Sequence, residues 1–288
     1  MFDWFALSVF ACALFGVQAF MYKTGMKKDM DEFILVGYFT LSAAVISLLV
    51  FLSRPPQFPT FTAIFLLAIL YGLFFSFKTL AQMKALKFLP TNIVFPVTAS
   101  NVLLVVIASF LFLNESLSML QIIGIALVSF AVIFLYFEKS FELQKKHFIK
   151  GFAIALLAMF FSAALSFTNK IAAMNADKLL FMSVAYFFGA SVSFALRTLA
   201  RDSNSLSDLF LRKDIIALGL GIGVINFFGW YSLLSALSYG PLSLIAPIIS
   251  LYVFVAAILG VIFHNEKLTV RRLLLIAISI SGAILLKI

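Results

Sequence analysis

Two glutamates, Glu115 and Glu266, stand 151 residues apart in the same setting: Asn114-Glu115-x-Leu117-Ser118 and Asn265-Glu266-x-Leu268-Thr269. A carboxylate pair in so apolar a chain is what proton-coupled transport would use. Both, however, fall between apolar runs. There a carboxylate is expected as a structural helix-end fixture, gaining about 0.3–1 kcal/mol from the positive end of the next helix. No other Asp or Glu lies in the interior of an apolar run, so a carboxylate relay lacks parts.

The polar side chains inside the runs are the better candidates for binding, because an unpaired polar group in hydrocarbon is costly. Tyr71, Phe75 and Lys78 share one helix face at i, i+4 and i+7. Asn226 and Trp230 share another, and Ser162, Ser166, Asn169 and Lys170 form a stripe. Thr98 and Asn101 belong to one further run, and Tyr252 occupies the position of Asn101 at the same 151-residue offset. Asn226, Trp230 and Asn101 rank first because they lie nearest the middle of their runs. Lys78 and Lys170 stand about two turns from a helix end and either snorkel or face a cavity. In a cavity their ammonium groups would favour a solute bearing an acid, such as an amino acid, a carboxylate or a phosphorylated metabolite.

The elements that must position these residues follow from composition. Hydrophobic residues make up 64% of the 288 and charged residues 11%, with a mean hydropathy of +1.14. Soluble domains run at roughly 45–50% apolar and about 25% charged. The expected fold class is therefore an all-α integral membrane protein. Ten segments are long enough to span: 3–22, 32–53, 61–83, 90–112, 118–137, 150–174, 178–200, 214–238, 241–263 and 269–287. The first lacks a basic region before it and has Lys23, Lys27 and Lys28 behind it, so it reads as a helix and not as a secretory signal.

The glutamate motif is the end of a longer repeat. Ala85-Leu86-x3-Pro90-x5-Pro96 returns as Ala236-Leu237-x3-Pro241-x5-Pro247. The chain thus divides into two units, 1–137 and 150–288, joined by the polar stretch 138–149. Each unit has five segments, an odd number, so the second enters the membrane from the opposite side, the inverted arrangement common in secondary transporters. Pro96 and Pro247 lie inside their segments and are expected to act as hinges. Pro90 and Pro241 are expected as first helical residues, and Ser118 and Thr269 as N-caps.

At these residues the chain resembles the EamA repeat of the drug/metabolite transporter superfamily, most closely over 78–137 and 229–287. The resemblance implies a cavity lined by the first, third, fourth, sixth, eighth and ninth segments, with the fifth and tenth at the periphery. It also implies export or exchange of small metabolites such as amino acids. Two features depart from the family. The first segment has no membrane-embedded glutamate, which weakens the alternative of cationic drug efflux. Family members are described with cytoplasmic termini, whereas the basic residues here point the other way. Arg54, Lys178 and Lys287 lie on the side of the termini, and sixteen Lys and Arg lie on the opposite side. By the positive-inside rule both termini are extracytoplasmic in a multi-pass protein of the plasma (inner) membrane.

The remaining chemistry is sparse. The net charge of +9 is scattered along helix ends, so no nucleic-acid partner is expected. Cys12 stands alone, and His147 and His264 lack zinc spacing, so neither a metal nor a cofactor is expected. No Walker motif is present. A membrane enzyme acting on lipid-linked substrates, the other alternative, would need clustered His, Asp or Glu at one face. The expected partners are a small-molecule substrate and the lipid bilayer, for a monomer or homodimer.

Overall fold

The computed structural model describes residues 3–54, 61–86, 88–89, 91–136, 145–199, 212–264 and 269–288. Its regular structure is helical: α1 (Trp4–Lys27), α2 (Glu32–Leu52), α3 (Phe61–Leu86), α4 (Thr91–Ala99), α5 (Asn101–Leu113), α6 (Met119–Tyr136), α7 (Lys145–Asn175), α8 (Lys178–Leu199), α9 (Lys213–Leu237), α10 (Leu242–Ser250), α11 (Tyr252–His264) and α12 (Val270–Lys287). Taking α4–α5 and α10–α11 as one run each, seven runs among the described residues are long and apolar enough to cross a membrane.

Among the described residues, twelve helices stand where ten segments are expected because the fourth and ninth are each broken. The breaks fall at Ser100 and Leu251, again 151 residues apart and four residues beyond Pro96 and Pro247. Proline removes a donor from the helical ladder. Past it the amides turn to nearer acceptors: Ser100 N donates to Val97 O at 3.3 Å as well as to Pro96 O at 3.1 Å, and Leu251 N donates to Ile248 O at 3.2 Å. Serine hydroxyls add to this, Ser100 Oγ donating to Pro96 O at 2.9 Å and Ser250 Oγ to Pro247 O at 2.6 Å. The backbone stays near helical values, with ψ of −3° at Ser100 and −9° at Leu251, so each break is a tightened turn and not a gap.

The ends of the helices follow the local sequence, with one correction. Ser118 Oγ accepts from Gln121 N at 3.2 Å while Gln121 Oε1 accepts from Ser118 N at 3.0 Å, a reciprocal capping box. Thr269 Oγ1 accepts from Arg272 N at 3.3 Å. Pro241, expected as a first helical residue, stands one position earlier with an extended ψ of 132°. It follows the closing turn of α9, where Gly240 N still donates to Ala236 O. Pro90 and Glu266 lie outside the described residues.

The two halves pack reciprocally. α2 lies on its counterpart α8 and α6 on its counterpart α12, while α3 against α7 is matched by α9 against α1, and α2 against α9 by α3 against α8. Small residues permit close approach, as in other membrane helix pairs. A Cβ on Gly124 would stand 2.8 Å from Gly282 O, and one on Gly282 would stand 2.9 Å from Gly124 O. Gly124→Val is therefore expected to force α6 and α12 apart at about 1–3 kcal/mol. A drop of several degrees in unfolding temperature in detergent would register it, and an unchanged midpoint would show that this pair is free to separate.

Candidate functional site

Between the halves lies a cavity of about 1090 Å³. Its walls come from particular ends of the helices: α1 from Phe15 to Lys23, α2 from Glu32 to Phe39, α3 from Phe75 to Gln82 and α8 from Val192 to Leu196. All of these are ends that meet at the α1–α2, α3–α4 and α8–α9 connections, so the cavity runs from that end of the bundle to mid-depth. Two smaller spaces branch from it and share its lining. A floor pocket of about 170 Å³ lies around Tyr71, Asn226 and Trp230. A lateral pocket of about 270 Å³ lies between α3, α7 and the two broken segments.

On the floor, side chains bond to one another across the bundle. Asn226 of α9 accepts from the Tyr186 hydroxyl of α8 and donates to Gln18 Oε1 of α1 at 2.6 Å. Trp230 Nε1 donates to Asn169 Oδ1 of α7 at 3.1 Å. Rings close the space beneath: Trp230 lies 4.4 Å from Tyr186, 4.9 Å from Tyr71 and 5.6 Å from Phe181, centroid to centroid. Beyond them Leu234, Leu237, Leu242 and Ile245 pack with Leu7 and Phe51. These side chains form the buried core at the end opposite the cavity mouth, and Leu237, Leu242 and Ile245 also border the lateral pocket.

Of the residues expected to bind solute, Asn226, Trp230, Asn101, Tyr252, Tyr71, Phe75, Lys78 and Asn169 all line this space. Lys78 stands where the main cavity meets the lateral pocket. Lys170 is the exception. Its ammonium is buried and donates to Leu237 O at 2.8 Å and Gly240 O at 2.9 Å, so it neither faces the cavity nor snorkels. It closes the C-terminal end of α9, where carbonyls lack helical partners and a cation is favoured.

Glu115 is a helix-end residue, but the helix is not the one that follows it. Asn114 ends α5 in the left-handed conformation, with φ of 52°, a place asparagine tolerates. The turn carries Glu115 to the other half, where its carboxylate accepts from Leu242 N at 2.7 Å, Ser243 N at 2.8 Å and Ser243 Oγ at 2.5 Å. Glu115 also lies within electrostatic reach of Lys170. A cation and an anion thus hold the two sides of the α9–α10 turn. Arg54 Nη2, at the same end, donates to the Tyr231 hydroxyl at 3.3 Å.

The lining is broader than the family resemblance implies. α2 and α8 contribute Phe39, Thr40, Tyr186 and Ser193, and Leu135 of α6 and Arg272 of α12 reach the mouth. Sequence reasoning passed over Gln18, an amide in the middle of the first apolar run, although the rule that selected Asn226 would have found it. Tyr186 had no such signal, since its partners lie on α1 and α9.

Comparison with known proteins adds the family. The model of the EamA-like transporter family matches residues 3–137 and 149–288. A solved structure described only as "Crystal structure of protein" superposes with a TM-score of 0.79 at 17% identity, covering 99% of this chain and 98% of that one, which shows a shared fold. No curated protein matches the sequence. Two family repeats that together span nearly the whole chain, set in apolar helices that wall a cavity, make this multi-pass membrane protein a member of the EamA-like transporter family.

Proposed function

We propose that the protein is a secondary transporter that moves a small, acid-bearing organic solute by alternating access, without covalent chemistry. The observation that carries this reading is the cavity itself, walled by both repeats and ending at mid-depth on a sealed aromatic floor, with the ammonium of Lys78 on its wall. In this reading the chain crosses the membrane ten times, as two inverted five-helix units, 1–137 and 150–288, and one copy contains the whole pathway. The reciprocal packing of the two halves supports that arrangement. The cavity opens on the side richer in Lys and Arg, which the positive-inside rule assigns to the cytoplasm of a cell with the protein in its inner membrane. The conformation is then inward-open, and the joints beyond Pro96 and Pro247 are the places where each repeat bends to expose the opposite side. Amino acids and other organic acids are the expected cargo, and export or exchange the expected direction.

The test is a comparison of metabolites inside and outside cells that express the wild type or an Asn226→Ala/Trp230→Ala double variant. A solute redistributed by the wild type and not by the variant is the expected outcome, and it names the cargo. If no compound is redistributed by the wild type, the transport reading falls.

A further inference from the structure

The polar side chains of the cavity fall into two sets that differ in one respect. Those of the floor already have partners: Asn226 bonds Tyr186 and Gln18, and Trp230 bonds Asn169. In the lateral pocket, Lys78, Gln82, Asn101 and Tyr252 have no hydrogen-bond or ion-pair partner among the described residues. None of the four is sealed from the cavity, so all can be met by a polar solute that enters it. The floor, by contrast, is complete without a ligand.

We infer that the lateral pocket receives the polar part of the solute, and that this solute is a hydroxylated carboxylic acid. The inference rests on the transport reading above and narrows its substrate class. Lys78 supplies the one cation of the pocket among the described residues and faces the acid. The amides of Gln82 and Asn101 each offer donors and an acceptor, and the Tyr252 hydroxyl offers both, which complements hydroxyl groups and not an alkyl chain. Among the described residues no carboxylate lines the pocket, so a second, cationic group on the solute would find no counter-charge there. The placement also couples binding to movement. Asn101 and Tyr252 are each the first residue after the helix break of their repeat, so a solute bridging them touches both joints at once.

The probes are gluconate, hexanoate and glucose, which carry an acid with hydroxyls, an acid alone and hydroxyls alone. Thermal unfolding of the purified full chain is measured with each at equal millimolar concentration. Gluconate is expected to raise the midpoint by about 2–4 °C and the other two by less. The shift is expected to vanish in Lys78→Gln, to weaken in Asn101→Ser and Tyr252→Phe, and to persist in Arg212→Gln, whose side chain is exposed and lines none of the pockets. The mild Asn101 and Tyr252 variants keep the test decisive if Lys78→Gln fails to fold. Hexanoate or glucose stabilising as well as gluconate, no shift with any probe, or a gluconate shift that survives all three pocket variants would overturn the inference. Uptake into proteoliposomes separates it from the transport reading: stabilisation without uptake sinks transport and leaves the pocket standing, and uptake indifferent to the pocket variants does the reverse.

Discussion

Arg197→Leu is expected to destabilise the fold more than any other single change at the cavity mouth. Arg197 Nε of α8 lies 2.5 Å from Asp31 Oδ2, and the two side chains are only 5% and 17% exposed. Asp31 has a second duty, since its Oδ1 accepts from Ile34 N at 3.1 Å and caps α2. Removing the guanidinium leaves a buried carboxylate without its counter-charge, which costs about 3–5 kcal/mol. α2 and α8 are counterparts that pack directly on each other, so the loss falls on the axis of the bundle. Asp31→Asn keeps the cap and is expected to be milder. The pair Arg212–Asp214 gives the contrast: at 38% and 50% exposure its removal is expected to cost no more than about 1 kcal/mol. The yield of monodisperse protein and the unfolding midpoint read all three. Arg197→Leu unfolding at the wild-type temperature would show that the buried pair contributes no net stability.

At the opposite end, Glu115→Ala is expected to loosen the packed side of the bundle. The carboxylate belongs to the first repeat and accepts its three hydrogen bonds from the second, at the start of α10. Hydrogen bonds to a charged group contribute roughly 1.5–3 kcal/mol each, and without the carboxylate the amides of Leu242 and Ser243 lose their partner. Even one such bond corresponds to about a tenfold change in an equilibrium constant. The closed state at this end is therefore expected to be depopulated at least tenfold relative to an open one. Leu234 lies in the packed region with no exposure, so a Leu234→Cys probe in a Cys12→Ala background reports the change by its rate of reaction with a water-soluble thiol reagent. The reaction should accelerate in Glu115→Ala and less so in Glu115→Gln, which retains one acceptor. An equal rate in all three backgrounds would mean that Glu115 does not hold this end shut.

These expectations show which parts of the protein were readable from its sequence. Periodicity and the 151-residue register located the segments, the paired breaks near Pro96 and Pro247 and the caps at Ser118 and Thr269, because each depends on a few neighbouring residues. The polar-in-apolar rule selected most of the cavity lining for a similar reason: a polar side chain deep in an apolar run has few places to go. What it could not supply was the identity of the partner. Asn226 meets Gln18 from 208 positions away, Glu115 meets Ser243 from 128, and Lys170 meets Gly240 from 70. Such contacts are set by how whole helices lie against one another, and no local pattern records them. Hence Asn226, first in rank by sequence, belongs to a completed network, while Gln82, unnoticed there, stands open.

The diversion of Lys170 to the end of α9 has an electrical consequence. Among the described residues it leaves Lys78 as the cation of the lateral pocket, with no carboxylate there or on the floor. In the alternating-access reading proposed above, and with Lys78 protonated, an empty carrier that reorients moves positive charge through part of the transmembrane field, whereas a carrier loaded with a monoanion moves none. A full elementary charge is worth about 2.3 kcal/mol per 100 mV. The membrane potential would then act on the unloaded return step and leave the loaded step untouched, drawing the vacant site toward the negative compartment, so that net release of the anion is assisted by the potential and one-for-one exchange is indifferent to it.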